Sequence, residues 1–311
     1  MSDLILHHYP TSPFAEKIRL VLGYKQLAWK SVIIPMMMPK PDVVSLTGGY
    51  RRTPILQIGA DIYCDSALIC DVLEPIQPLP TLYPDAHKGL ARIVAQWGDS
   101  LTFGPIMAFN FQPKGAAEVM GNNAAEWVTA FVQDRQAMRG GAPRMSSSDA
   151  TATYKSYLRR LSDMLSDQPF LLGDQPCVAD FSAAHPIWFT QHRTPSVASV
   201  LDATPLVKAW LDRMMAFGHG QFTEISSGDA LVIAHQSTPT PLGDEPFQDD
   251  HGIPLGSEVV VAADTFGTEP TTGQLVAATR TRLTLRRSEE RAGTVHVHFP
   301  RIGFTLKKAS T

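Results

Sequence analysis

Cysteine is scarce: the 311 residues hold three, Cys64, Cys70 and Cys177, in no CxxC or other paired spacing. That excludes a disulfide framework and a zinc ribbon, and it suits a reducing compartment. Charge of either sign is also modest. The 27 Lys and Arg against 30 Asp and Glu leave a net charge of -3, too weak a field to draw the whole chain to nucleic acid or anionic lipid. No stretch approaches the roughly 20 apolar residues that cross a bilayer. The opening run Leu4, Ile5, Leu6 has neither the basic flank nor the length of a secretion signal. A cytoplasmic protein with no nucleic-acid and no membrane partner is expected. No internal repeat is present. What remains is ordinary globular composition, 44% hydrophobic and 18% charged, in a chain long enough for two or three domains of roughly 150 residues.

Residues 4 to 9 read as a strand ending at Pro10. Phe14, Ile18, Val21 and Leu22 then recur at helical spacing up to Gly23, and Trp29 to Ile34 reads as a second strand stopped by Pro35. This βαβ unit requires parallel pairing. After an irregular Met- and Pro-rich stretch, Pro54 to Ile58 and Asp61 to Cys64 flank Gly59-Ala60 as a hairpin, and a helix follows with the stripe Leu68, Ile69, Val72 and Leu73. From about Asp85 the strand signals vanish. Leu90, Ile93, Val94, Trp97 and Leu101 share one helical face, as do Tyr154, Tyr157, Leu158, Leu161 and Leu165, and both faces are expected to point into a core. Two more helices are expected around Phe181 to Trp188, perturbed near Pro186, and around Leu206 to Phe217. Beyond a polar, Pro-rich linker, Val259 to Val261, Leu275 to Leu285 and Val295 to Phe299 form a β-rich tail. There Val295, Val297 and Phe299 alternate with His296 and His298 in the period-two pattern of half-buried strands.

Three places could carry chemistry. Ser12 precedes Pro13 at a strand-to-helix turn, where free N–H groups and the positive end of the helix dipole favour an anion such as a thiolate; it is equally the ordinary way to start a helix. Arg52-Thr53-Pro54 stands directly before a strand, where a proline can leave backbone groups free for an extended peptide ligand. Asp65-Ser66 opens the next helix, again a position that caps or binds a carboxylate. His296 and His298 share a strand face, but with no third carboxylate or thiol nearby in sequence no metal site is expected. The Arg- and Lys-rich tail reads as a solvated strand face.

The order of these signals, Ser-Pro-Phe at the first helix, Arg-Thr-Pro before the third strand and Asp-Ser at the next helix, followed by helices alone, resembles the soluble glutathione S-transferase superfamily over roughly residues 1 to 220. Leu172-Gly173-Asp174 and Val178-Ala179-Asp180 look like the segment leading into that family's central helix, with Asp180 in the cap and Cys177 in place of the usual Ser or Thr. The resemblance implies a thioredoxin-like α/β domain over residues 1–80, an all-α helical domain over 85–235 and, outside the family scaffold, a small β-rich, barrel-like domain over 245–311.

It implies further that Ser12 contacts the glutathione sulfur, with Thr11 and Tyr9 as alternates. Thr53 would pair with the cysteinyl amide beside a cis Pro54, Arg52 with the glycyl carboxylate, and Asp65 and Ser66 with the γ-glutamyl end. The electrophile would lie near Phe14, Met36, Trp97 and Leu101. Ser12 in place of a cysteine disfavours redox chemistry through an enzyme thiol. The implied activity is that of a detoxifying transferase, a homodimer without metal that conjugates glutathione, as substrate, to a small hydrophobic electrophile. The alternative is a non-catalytic protein of the same fold whose β tail engages a partner.

Overall fold

The computed structural model describes residues 3–248 and 250–309. The first layer runs β1 (Leu4–His8), α1 (Pro13–Tyr24), β2 (Trp29–Ile33), α2 (Pro41–Thr47), β3 (Ile55–Ile58), β4 (Asp61–Cys64) and α3 (Ser66–Ile76). β1 pairs with β2 in parallel and with β3 antiparallel, and β3 pairs with β4 antiparallel, which is the expected βαβ–ββα arrangement. The short α2 lies inside the stretch that reads as irregular. It ends at Gly48, whose φ of 82° is the left-handed closure that glycine allows. Side chains alternate along β1: Leu4 and Leu6 enter one core, while Ile5 enters a second core on the other face of the sheet.

The first core is shared with the helices. These are α4 (Lys88–Gln96), a π-helical turn (Trp97–Thr102), α5 (Phe103–Asn110), α6 (Pro113–Met120), α7 (Ala125–Arg139), α8 (Ser147–Met164), α9 (Val178–Arg193) and, after a 3-10 stretch (Pro195–Leu201), α10 (Pro205–Met215). The stripe on α8 from Tyr154 to Leu165 is buried as expected. The face expected from Leu90 to Leu101 is buried only in part: Val94 and Trp97 pack against the core, while Leu90 is 48%, Ile93 67% and Leu101 70% exposed and Ala91 and Ala95 are buried. α4 lies close against α9, and alanine fits that approach where leucine and isoleucine do not. At the start of α9 Asp180 accepts from the Cys177 N–H at 3.0 Å, the Leu171 N–H at 2.8 Å and the Trp210 indole at 2.9 Å. The cap therefore holds from the aspartate side despite Cys177.

After α10 the chain returns to the first layer. β5 (Phe222–Glu224) adds in parallel to β2, and α11 (Ser227–Gln236), within the span read as helical domain, packs Ala230, Leu231 and Ala234 into the second core. The strands β6 (Glu258–Ala263), β7 (Thr271–Ala278), β8 (Arg282–Glu289), β9 (Gly293–Pro300) and β10 (Phe304–Lys308) form the β-rich region. They continue the first sheet: β9 pairs in parallel with β4, giving one ten-stranded sheet in the order β10-β6-β7-β8-β9-β4-β3-β1-β2-β5.

Two local readings change as a result. The run from Leu275 to Leu285 is two strands, broken where Thr279 Oγ1 accepts from the Arg282 N–H at 3.2 Å. β9 is an interior strand with both faces largely covered, so His296 and His298 are only 5% and 3% exposed.

Candidate functional site at the carboxyl end of the first sheet

The register brings the three sequence signals to one end of the sheet. β1 ends at His8 and leads through Tyr9 to Ser12; β3 runs antiparallel and begins opposite His7; β4 ends at Cys64, opposite Ile55, and leads into Asp65. Ser12, Thr53 and Asp65 therefore flank one rim, the side on which open α/β sheets hold ligands.

Ser12 is the N-cap of α1: its Oγ accepts from the Ala15 N–H at 3.2 Å, Pro13 follows in the first turn, and the residue is 2% exposed. The cap uses an acceptor site of that oxygen and leaves the hydroxyl proton free to be donated near the positive end of α1. Tyr9 stands beside it. Burial raises the Tyr9 hydroxyl above its usual value, opposed by the Arg135 charge and by a hydrogen bond with Ser12. Thr11 lies half-buried in the intervening turn. The Thr53–Pro54 bond is cis, as the resemblance implies.

Asp65 holds φ at 80°, an uncommon angle for a residue with a side chain, and its carboxylate accepts from the Ala67 N–H at 2.9 Å. Burial pushes its carboxyl up, against the Ala67 N–H and the Lys17 charge. Ser66 Oγ accepts from Lys17 Nζ at 3.1 Å.

Lys17 belongs to a polar cluster that sequence reasoning missed. Its ammonium, on a fully buried side chain, lies 2.6 Å from Asp99 of the π-helical turn, which also meets His185 Nε2 at 3.0 Å and the Ser182 hydroxyl at 3.2 Å. Burial works against the Asp99 charge, yet Lys17 and the His185 bond hold its carboxyl below the usual range. Burial also lowers His185, so its ring is neutral; the ring packs against Phe14 at 4.4 Å and Phe103 at 5.7 Å. Lys17 and Asp99 each read as ordinary helix-surface charge. Only their separation across 82 residues hides the pairing.

Lys40 is the second missed residue. It is 3% exposed, and its Nζ donates to the Arg51 carbonyl and to Thr53 Oγ1, both at 3.3 Å, 5.7 Å from the centre of the Tyr9 ring. Burial, reinforced by Arg135, lowers it to about 8. The carboxylates of Asp134 and Glu269 nearby are paired with Arg51. Arg52, expected to take a carboxylate, is turned elsewhere: its guanidinium donates to the Phe266 carbonyl and lies 5.8 Å from the Phe304 ring, both in the β-rich region.

The four residues expected around an electrophile do not converge. Phe14 faces Phe103 and His185 between the domains, and the Met36 carbonyl accepts from Arg135 at 3.0 Å. Trp97 packs on Tyr157 at 4.9 Å in the helical core, and Leu101 is among the most exposed apolar side chains described. All three cysteines are free and buried. Burial pushes Cys70 and Cys177 up to about 12 and raises Cys64 well above its usual value, so none is a ready nucleophile.

Two family models match: glutathione S-transferase, N-terminal domain, over residues 6–81, and glutathione S-transferase, C-terminal domain, over residues 125–213. The crystal structure of a GST-like protein from Pseudomonas syringae is 43% identical with a TM-score of 0.84, covering 99% of this chain and 100% of that one. A glutathione S-transferase from Rhodospirillum rubrum, 21% identical with a TM-score of 0.51, shares the fold over 68% of this chain and 88% of its own. Among curated proteins, FtsZ-localized protein A of Caulobacter vibrioides is 23% identical over 184 residues, 58% of this chain and 73% of that protein.

Proposed function

Since the chain belongs to the glutathione S-transferase family, we propose that it binds glutathione at the Ser12 rim and conjugates the thiolate to a small hydrophobic electrophile. Ser12 is the sulfur contact in this reading. A hydroxyl donor and the amino end of α1 both favour the thiolate, drawing a thiol from about 8.5 towards neutrality. Tyr9 is close enough to Ser12 to share the role, with Thr11 behind it. The Thr53 backbone pairs with the cysteinyl amide, and Asp65 and Ser66 take the γ-glutamyl end. Lys40, rather than Arg52, which is held by Phe266 and Phe304, is the cation for the glycyl carboxylate.

The observation that supports this best is the juxtaposition at one rim of a capped serine, a cis X-Pro peptide and a buried lysine lacking a carboxylate partner among the described residues. Phe14 is the expected residue best placed to border the electrophile. The exposed Leu90, Ile93 and Leu101 support a homodimer, which light scattering tests directly.

A second reading is a protein of this fold that binds a partner through its β extension. It is supported by the similarity to FtsZ-localized protein A and by the engagement of Arg52 with that extension. Retention of the full chain on glutathione-agarose, followed by conjugation assays over a panel of electrophiles, separates the two. Retention with turnover is expected. Retention without turnover favours the second reading, and failure to bind at all overturns the glutathione site.

A further inference from the structure

The parallel pairing of β4 with β9 sets Asp61 opposite His296 and Tyr63 opposite His298. Side chains two apart on a strand share a face, so one carboxylate and two imidazoles converge. His298 Nε2 lies 2.9 Å and His296 Nδ1 3.8 Å from Asp61 Oδ1, and one ligand atom from each of the three residues lies within 4.8 Å of the others. All three side chains are at least nine-tenths buried. Bonds of about 2.1 Å to a common ion separate neighbouring ligand atoms by about 3.0 Å in an octahedron and 3.4 Å in a tetrahedron, between the two distances observed.

Two observations give this cluster a purpose beyond packing. Both ring nitrogens of the buried His296 lack any hydrogen-bond partner, a costly arrangement unless something else bonds them. The other donors are oriented as metal ligands are. Asp61 Oδ2 accepts from the Thr240 N–H at 2.9 Å, and His298 Nδ1 meets Thr284 Oγ1 at 3.0 Å while Tyr63 stacks on the ring at 4.5 Å.

We propose that Asp61, His296 and His298 form a binding site for a divalent transition-metal ion of the zinc or iron class. Two imidazoles and a carboxylate are the donor set of metal sites that keep open positions. The open side is a pocket of about 350 Å³ lined by residues 237 to 242, Arg286, Thr294 and His296, where water or a small anion beside Arg286 completes the coordination. On binding, the proton that His298 Nε2 shares with Asp61 moves, through solvent, to Nδ1, and Thr284 turns from donor to acceptor. No net proton is lost. Neutral imidazole and ionised carboxylate are the forms that ligate a metal. The site lies at the opposite end of β4 from Asp65, so it stands independently of the glutathione reading. It also joins the first domain to the C-terminal region, so binding holds β9 on β4.

The test uses untagged full-length protein treated with EDTA and titrated with Zn²⁺ by calorimetry, and with Co²⁺ followed by its visible ligand-field absorption. One ion per chain is expected, with a rise of several degrees in Tm. His296→Asn loses no hydrogen bond of the metal-free protein, so it should keep the metal-free Tm and weaken Zn²⁺ binding by about a hundredfold; Asp61→Asn should also abolish the Co²⁺ spectrum. Absence of uptake by the wild-type chain overturns the site. Uptake with equal affinity and an unchanged spectrum in His296→Asn also overturns it, because the ion would then lie elsewhere.

Discussion

Lys40 carries a cost in the fold that the proposed ligand would offset. A lysine that releases its proton at about 8 instead of its ordinary 10.5 is held at a cost to folding, on the order of 3 kcal/mol at neutral pH. The unfolded chain binds the extra proton between those two values, so stability rises with pH across that window. Lys40→Met should remove this rise and raise stability at pH 7, as read by urea unfolding at several pH values. It should also weaken binding of S-methylglutathione, whose blocked sulfur removes thiol titration from the reading, by about 1.5–3 kcal/mol in calorimetry. In the wild type that affinity should fall as pH passes about 8, and in Lys40→Met the fall should shrink to what the ligand's own amino group contributes. A variant that is both less stable and equally tight-binding would remove Lys40 from the site. At Ser12 the expected change is of another kind. Ser12→Ala should leave affinity nearly intact while raising the pKa of the bound thiol, followed by thiolate absorbance. If the pKa stays put and Tyr9→Phe raises it, Tyr9 carries the role.

Among the elements, α1 joins the rim to the helical domain, with Ser12 at its start and Lys17 reaching Asp99 from its buried face. Removing one partner leaves a buried charge uncompensated, so Lys17→Met should cost about 3–5 kcal/mol in denaturant unfolding. Adding Asp99→Asn should recover at least ~1 kcal/mol of that loss; strict additivity would mean the pair is not coupled. Elements such as α1, β3, β4 and α8 are legible in the sequence because local chemistry marks them: Ser12-Pro13 starts a helix, Gly59-Ala60 turns a hairpin, and the Tyr154 to Leu165 stripe needs only a period. The rim residues Ser12, Thr53, Pro54, Asp65 and Ser66 are legible for the same reason. Other features depend on what lies across the fold. Which face of α4 is buried is decided by how near α9 comes, and the alternation along β9 looks the same whether its second face meets water or Asp61. Lys17, Asp99 and Lys40 are invisible for that reason too, since charge on a helix or loop reads as solvated until a partner from elsewhere covers it.

For the whole molecule, the β extension completes the first sheet. Its Val259, Leu275, Leu285, Val297 and Phe299 share the second core with Ile5, Val32 and Ile62. Truncation before Pro246 should therefore bare the β4 edge and half of that core, giving a chain that aggregates or melts far below the intact protein. A truncated chain with unchanged Tm and solubility would mark the extension as an independent appendage. The β4–β9 pairing joins Asp61 to His296, and this bears on how the protein is made. A ribosome that has released the first eighty residues has not yet supplied the strand that closes their sheet, and every helix of the second domain emerges before it does. Until β9 appears, the nascent first domain presents an open edge, and it can reach its final form only after every helix of the second domain has been made.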